Sequence, residues 1–269
     1  MKAVINTLYE AKLAELKEKI DAESIPVQLT IVTVGDDPAS KVYVRNKVRL
    51  FEALDLPCHH IVLPEEGTTQ SDLDGLAAKA DHPILFQLPL PNGLEAPDLP
   101  AAVDVDGFGS EALGQLVLGQ NPVLPCTVQA AIDIIELHCG EFSFPGLKVA
   151  ILGRSNIVGK PLAIELINRQ STVSSFNSRS DLAAVDWNKF DVIVVATGHH
   201  GTLDNSQFIE GQLIIDVGIN RIDGKLVGDI KHQDGIVSDA AITPVPGGVG
   251  RLTCLNVLGN AVKLCQANS

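Results

Sequence analysis

The sequence predicts an α/β protein of two α/β units, each built on a mostly parallel sheet, and three observations carry that prediction. Short apolar runs alternate with helical periodicities along the chain. The alternation is broken by the proline- and glycine-rich stretch QLPLPNGLEAPDLPAAVDVDGF, from Gln87 to Phe108, and then resumes. The first turn of the resumed series is a strand running into a glycine loop and a helix, GRSNIVGKP from Gly153 to Pro161. Strand–helix–strand repetition of this kind covers a sheet on both faces.

The elements are expected in the following order. Val4, Leu8, Leu13, Leu16 and Ile20 recur at helical steps among Glu and Lys, so an N-terminal amphipathic helix should turn these five toward the core. Its charge is spread throughout, unlike a signal peptide or membrane span. A strand is expected over Val27–Val34, a helix from about Ser40 to Leu54, a strand over His59–Leu63, a helix near Ser71–Ala80 and a strand over Ile84–Gln87. Beyond the break come a helix over Thr127–His138 and strands over Lys148–Leu152, Thr172–Phe176, Val192–Ala196 and Leu213–Val217. Further helices are expected over Pro161–Asn168 and Leu252–Leu264.

A chain of 269 residues with 45% hydrophobic content can bury one large core or two small ones, and the repeated series favours two. The net charge of −13 and the scattered Lys and Arg argue against a nucleic-acid or anionic-membrane surface, and point to a small-molecule enzyme. Five cysteines without a C-x-x-C pair suggest reduced thiols in a cytoplasmic protein, with neither a zinc site nor a redox dithiol. The pairs His59–His60 and His199–His200 do not change this, because neighbours on a strand point to opposite faces; no metal is expected.

Several motifs carry chemistry. In VGDDPASKVYVRNK a helix start sets Tyr43 and Lys47 four residues apart, stacking a ring and an amine on one face. An amine shielded from water gives up its proton more readily than a free one, which suits proton transfer. Gly153 and Gly159 allow a tight turn, and the following helix start offers free N–H groups to a pyrophosphate. The loop is neither a Walker A nor a G-x-G-x-x-G. About twenty residues on, where an acid would bind the ribose of NAD, stand Asn177, Ser178 and Arg179. A hydroxyl and a guanidinium suit a 2′-phosphate, so the inferred cofactor is NADP. Near the C-terminus, TPVPGGVGRLT packs in three glycines, which suit close approach of backbone to a ligand or a turn before the last helix.

With QLPLP, DVDGF, PCT at Pro125–Thr127, NSRSDL at Asn177–Leu182, DVGIN at Asp216–Asn220, GKLVGD at Gly224–Asp229 and ITPVPGGVG at Ile242–Gly250, the chain resembles the bifunctional methylenetetrahydrofolate dehydrogenase/cyclohydrolases over nearly its whole length. The resemblance implies a catalytic folate-binding domain at 1–118, to which a C-terminal helix at 247–269 returns. A Rossmann-like NADP-binding domain would span 119–246. It also implies a cytoplasmic homodimer of one-carbon metabolism that feeds purine biosynthesis. Such an enzyme oxidises 5,10-methylenetetrahydrofolate with NADP and hydrolyses the methenyl product to 10-formyltetrahydrofolate.

Carried over residue by residue, the catalytic group is Lys47, Gln87, Asp106 and Tyr43. Lys47 is the acid–base group, Gln87 orients it, Asp106 holds the pterin and Tyr43 lies along the p-aminobenzoyl ring. Without the resemblance, Gln87 reads equally well as a strand-end amide bonded to backbone. Leu88, Pro246, Gly247 and Gly248 join the folate contacts, the last three in a loop from Pro246 to Thr253 that closes over the substrate. Gly153, Arg154, Ser155, Ser178, Arg179 and Ile219 are the cofactor contacts. Asp104 reads as a turn or capping residue.

The chain departs from the family pattern at Val103, Gly109, Ala112, Val128, Ala130, Asn177 and Arg251, mostly beside the expected pocket, so changed affinity with the reaction retained is expected. Two other readings are a monofunctional dehydrogenase of the same family and a non-catalytic folate- or nucleotide-binding regulator. A short-chain dehydrogenase, which also uses Y-x-x-x-K, is disfavoured because there the glycine loop precedes the pair.

Overall fold

The structure is a computed structural model that describes residues 1–120, 123–140, 143–233 and 240–268. In chain order its elements are α1 (Lys2–Glu23), β1 (Leu29–Val34), α2 (Pro38–Glu52), β2 (Cys58–Leu63), α3 (Gln70–Ala77), β3 (Ile84–Phe86), α4 (Ser110–Val117) and α5 (Cys126–Cys139). There follow β4 (Lys148–Leu152), α6 (Gly159–Asn168), β5 (Thr172–Phe176), β6 (Val192–Val195), β7 (Leu203–Asp204), β8 (Leu213–Asp216), β9 (Asn220–Ile222), β10 (Lys225–Val227), β11 (Ile230–Lys231), β12 (Ala241–Ile242) and α7 (Val249–Ala267). Two compact units result. An N-terminal unit takes residues 11–126 and 254–269, and a central unit takes 1–10 and 127–253. The divisions expected near 118 and 246 stand beside 126 and 253 in this partition. Ser269 lies outside the described residues.

In the N-terminal unit β1 is flanked by β2 and β3, both parallel to it, in the order β2-β1-β3. Every residue of β1 (LTIVTV) is buried, which is why it reads as Leu29 followed by a β-branched run rather than an alternation. Val32, Val34, Ile84, Phe86, Leu73, Leu99 and Val103 form a core beneath it. α2 starts where Asp37 caps it, accepting the Ser40 N–H at 2.6 Å, with Pro38 in its first turn.

The central unit holds a five-stranded sheet, all parallel, in the order β12-β8-β6-β4-β5. Alternate residues serve its two faces. Val149, Ile151, Val192, Val194, Leu213 and Ile215 pack with α5 and α6 on one side. Ala150, Leu152, Ile193, Val195 and Ile214 pack with Trp187 and Phe208 on the other. β9 and β10 form an antiparallel hairpin, and β7 pairs with β11 in parallel.

The expected strands appear within two residues of their sequence bounds, as do most of the helices. Two corrections concern the terminal helices. In α1 Ile20 is buried and Leu8 packs on the core as expected, but at the start of the helix Ile5 is fully buried while Val4 is 47% exposed, so the apolar stripe begins one position later than expected. α7 begins at Val249 instead of Leu252, because Val249 and Leu252 both enter the central core and draw the glycine-rich start into the helix.

Candidate active site

Lys47 is a buried charge-bearing side chain, 6% exposed, on the face of α2 that also carries Tyr43. Its Nζ donates to Gln87 Oε1 at 3.0 Å. The other end of that amide donates from Nε2 to the Leu88 carbonyl at 2.8 Å, which fixes the amide so that its oxygen faces the lysine. The Gln87 N–H is held by the Val32 carbonyl at 2.8 Å, placing this orienting group at the end of β3. Tyr43 is half-buried, and burial pushes its phenol up to about 12, with Cys254 adding to the effect. It is therefore a neutral ring at physiological pH, suited to stacking and not to taking a proton.

Asp106 is within electrostatic reach of Lys47. Burial pushes its carboxyl above the usual range, while the Lys47 charge and the Cys126 thiol pull it back. Asp104 is buried and organises the turn, accepting N–H groups from Gly107 at 2.9 Å and Gly109 at 2.7 Å. Burial pushes it up to about 6 despite those bonds. The turn needs its glycines: a Cβ on Gly109 would stand 2.8 Å from the Leu99 carbonyl oxygen, and Gly107 has φ +72°.

The N-terminal unit adds residues that the sequence reading does not assign to the site. Asn260 on α7 donates from Nδ2 to the carbonyls of Val105 at 3.0 Å and Leu124 at 2.9 Å, and to Cys126 Sγ at 3.3 Å. Asn256, one turn earlier, donates to the Cys126 carbonyl at 3.3 Å. These bonds tie the segments on either side of Asp106 and Cys126 to α7. The signal is legible in principle: amides four residues apart among apolar residues of a helix must find partners when buried.

In the central unit β4 ends at Leu152, paired with Phe176, so the loop from Gly153 starts beside Asn177, Ser178 and Arg179. Gly153 has φ +111°, and a Cβ there would lie 2.1 Å from the Ala196 carbonyl oxygen; one on Gly159 would lie 2.1 Å from the Gly153 carbonyl oxygen. Backbone therefore packs on backbone at the start of α6, leaving the loop amides at the helix N-terminus. Arg154 donates from Nε to Ser175 Oγ at 3.1 Å and from Nη2 to the Ser175 carbonyl at 2.7 Å, bringing its guanidinium to the end of β5. Ser155 Oγ accepts the Val158 N–H at 3.2 Å. Ser178 and Arg179 are exposed, and the Arg179 N–H is held by Asn177 Oδ1 at 3.0 Å. Ile219, 43% exposed, follows β8.

Pro246, Gly247 and Gly248 belong to the central unit, apart in the partition from Tyr43, Lys47, Gln87, Leu88 and Asp106. Gly247 has φ +99°, and a Cβ on Gly248 would come 2.5 Å from the Pro244 carbonyl oxygen. Arg251 pairs with Glu10 at 3.0 Å and lies 4.2 Å over the Tyr9 ring. Four other departures, Val103, Ala112, Val128 and Ala130, are buried, Val103 in the core of the N-terminal unit and Val128 and Ala130 in that of the central unit. The paired histidines hold separate partners: His60 Nε2 lies 3.0 Å from Thr33 Oγ1 and His200 Nδ1 2.8 Å from the Gly228 carbonyl.

A parallel sheet with a glycine loop at the end of one strand, joined in one chain to a unit with a buried amine–amide pair, defines a nucleotide-dependent α/β enzyme. The chain belongs to the tetrahydrofolate dehydrogenase/cyclohydrolase family: the catalytic-domain model matches residues 2–106 and the NAD(P)-binding-domain model residues 125–269. Among similar proteins, the bifunctional protein FolD of Moorella thermoacetica is 38% identical over 266 residues, 94% of each chain. That of Bordetella bronchiseptica is 37% identical over 273 residues, 98% of this chain and 96% of the other. The crystal structure of the Campylobacter jejuni bifunctional enzyme FolD superposes with a TM-score of 0.85 at 33% identity, covering 100% of this chain and 98% of that one. The Trypanosoma brucei N5,N10-methylenetetrahydrofolate dehydrogenase-cyclohydrolase, solved with NADP and an inhibitor, gives 0.83 at 26% identity, covering 97% and 95%.

Proposed function

We propose that this chain oxidises 5,10-methylenetetrahydrofolate with NADP and hydrolyses the resulting 5,10-methenyl cation to 10-formyltetrahydrofolate. The observation that carries the reading is the buried Lys47 Nζ held 3.0 Å from Gln87 Oε1, on the unit that also carries Asp106 and Tyr43. Hydride leaves a carbon flanked by two nitrogens, which stabilise the developing cation, so that step asks for positioning more than for a base. Hydrolysis differs, because water must lose a proton as it adds and a ring nitrogen must gain one as the ring opens. Lys47 is the group assigned to move those protons, and Gln87 keeps its Nζ in place. Asp106 accepts hydrogen bonds from the pterin edge, the Tyr43 ring lies against the p-aminobenzoyl group, and Leu88 adds a further folate contact on the same unit.

The residues fit NADP. The cradle closed by Gly153 and Gly159, with the start of α6 and Ser155, would hold the pyrophosphate. Arg154, Ser178 and Arg179 would hold the 2′-phosphate, and Ile219 the nicotinamide side. NADP, when bound, supplies the hydride acceptor. The rest of this reading, a cytoplasmic homodimer, rests on the family resemblance. Light scattering should give twice the 28.5 kDa chain mass.

The test follows methenyl-tetrahydrofolate and NADPH absorbance separately in wild type and Lys47→Met. Hydrolysis should fall by about a hundredfold or more while hydride transfer persists. A variant that hydrolyses the methenyl compound at the wild-type rate would sink the assignment of Lys47. NAD serving as well as NADP would sink that of Ser178 and Arg179.

A further inference from the structure

Two buried aspartates of the central unit stand outside the residues assigned so far. Asp229 is fully buried, and its carboxylate gathers two loops. Oδ2 accepts the Thr197 N–H at 2.7 Å, the Thr197 hydroxyl at 3.0 Å and the Gly198 N–H at 2.8 Å, while Oδ1 accepts Asn220 Nδ2 at 2.9 Å. Asp216, at the end of β8, holds Asp229 in turn: its Oδ1 accepts the N–H groups of Asp229 at 2.9 Å and Gly218 at 3.1 Å, and its Oδ2 accepts that of Ile230 at 3.1 Å. The packing leaves no slack. A Cβ on Gly218 would fall 2.0 Å from Asp229 Oδ1, and one on Gly228 would fall 1.8 Å from Asp216 Oδ2.

What this pair ties together gives it a direction. The loop over 196–198 follows β6, and the segment over 217–220 follows β8, so both lie at the carboxyl ends of parallel strands, the end at which the loop from Gly153 leaves β4. Open parallel sheets bind their ligands at that end. Ala196, one residue before the segment that Asp229 grips, is the residue whose carbonyl would meet a Cβ on Gly153. Asn220, gripped from the other side, is next to Ile219. One carboxylate thus sets the loop that backs the glycine cradle and the loop that carries Ile219.

We infer that Asp229 is a positioning residue for cofactor binding in the dehydrogenase reaction, acting through the 196–198 and 217–220 loops without touching either ligand. The inference rests on the function proposed above. It separates the two activities: loosening these loops weakens NADP binding and leaves hydrolysis of the methenyl compound, which uses no cofactor, intact. A carboxylate accepting several N–H groups does what an amide cannot, because an amide in its place would set an NH2 group against donors already aimed at oxygen.

The experiment uses full-length Asp229→Asn and Asn220→Ala. For each, NADP is titrated calorimetrically, KM for NADP and kcat are measured in the oxidation, and methenyl-tetrahydrofolate hydrolysis is followed without NADP. Asp229→Asn should weaken NADP by about tenfold to a hundredfold, with hydrolysis within about twofold of wild type. Asn220→Ala should weaken NADP by about tenfold or less in the same direction, and it decides the matter if Asp229→Asn does not fold. NADP affinity unchanged in a folded variant, or both activities falling in proportion, would overturn the inference. A wild type that binds NADP but hydrolyses no methenyl compound would instead refute the proposed function, and the NADP titrations of the variants would still decide the role of Asp229.

Discussion

Asp104 and Asp106 sit two positions apart and do different things, and pH separates them. Asp104 has its carboxyl raised by burial from 3.8 to about 6. Between those values the folded chain binds more protons at this site than the unfolded chain, so the contribution of Asp104 to stability falls as pH rises through that window. The size is roughly 3 kcal/mol if the whole shift is expressed. Denaturant unfolding of wild type and Asp104→Asn at pH 4 to 7 should show the variant losing that slope. Parallel pH dependences would contradict the buried carboxyl as its source. Asp106 is poised by opposing influences, burial pushing it up and the Lys47 charge pulling it down. Lys47→Met removes the second influence, so the midpoint at which Asp106 gains a proton should rise. Folate affinity measured against pH should then begin to change at a higher pH than in wild type; an unmoved midpoint would show that the lysine charge does not act on Asp106.

At the scale of elements, the loop between β4 and α6 is a tightly constrained piece of backbone. Gly159→Ala would put a methyl 2.1 Å from the Gly153 carbonyl oxygen and 3.1 Å from the Arg154 nitrogen, so the cradle must open. NADP affinity should fall by more than about tenfold, at a stability cost of about 1–3 kcal/mol, while methenyl hydrolysis is kept. Calorimetric titration and thermal melts check this, and wild-type NADP affinity would remove the loop from the cofactor site. The same loop is legible in the sequence because a strand, two glycines and a helix start are local signals. So are the long strands: β1, β6 and β8 are runs of mostly apolar residues without alternation, and such runs mark strands covered on both faces. β7 and β9 to β12, two or three residues each, carry no readable period and exist only because of their partners. In α1 the expected Leu8 and Ile20 do face a core, but the stripe takes Ile5 in place of Val4, since the two are equally apolar and only packing chooses between them. In the candidate site, Lys47 and Gln87 come together across forty positions, a pairing that motif resemblance supplies and periodicity cannot. The grip of Asn260 on Val105, Leu124 and Cys126, and that of Asp229 on Thr197 and Gly198, depend on distant backbone and have no local signature beyond a polar residue in an apolar or glycine-rich setting.

For the whole molecule, charge is the property that composition fixes most directly. The formal net charge is −13 near neutrality and the sequence pI is about 4.8. Repulsion among like charges opposes non-specific aggregation at neutral pH, and that repulsion vanishes as the carboxylates take up protons toward the pI. Stability runs the other way over part of this range. Asp104 favours the folded state increasingly as pH falls from about 6, and Asp216, also raised by burial, adds in the same direction. Asp72, Asp81, Asp98 and Asp204 are held below their usual range by hydrogen bonds, and their contributions are lost only as pH falls further. Between about pH 7 and 5 the protein should therefore lose solubility without losing its fold. Turbidity and sedimentation should report association strongest near pH 4.8, while the unfolding midpoint at about pH 5.5, in dilute samples, is no lower than at pH 7. An unfolding midpoint that drops in step with solubility would mean that acid opens the structure first, and the buried carboxyls would not be the stabilising groups at mildly acidic pH that their surroundings make them.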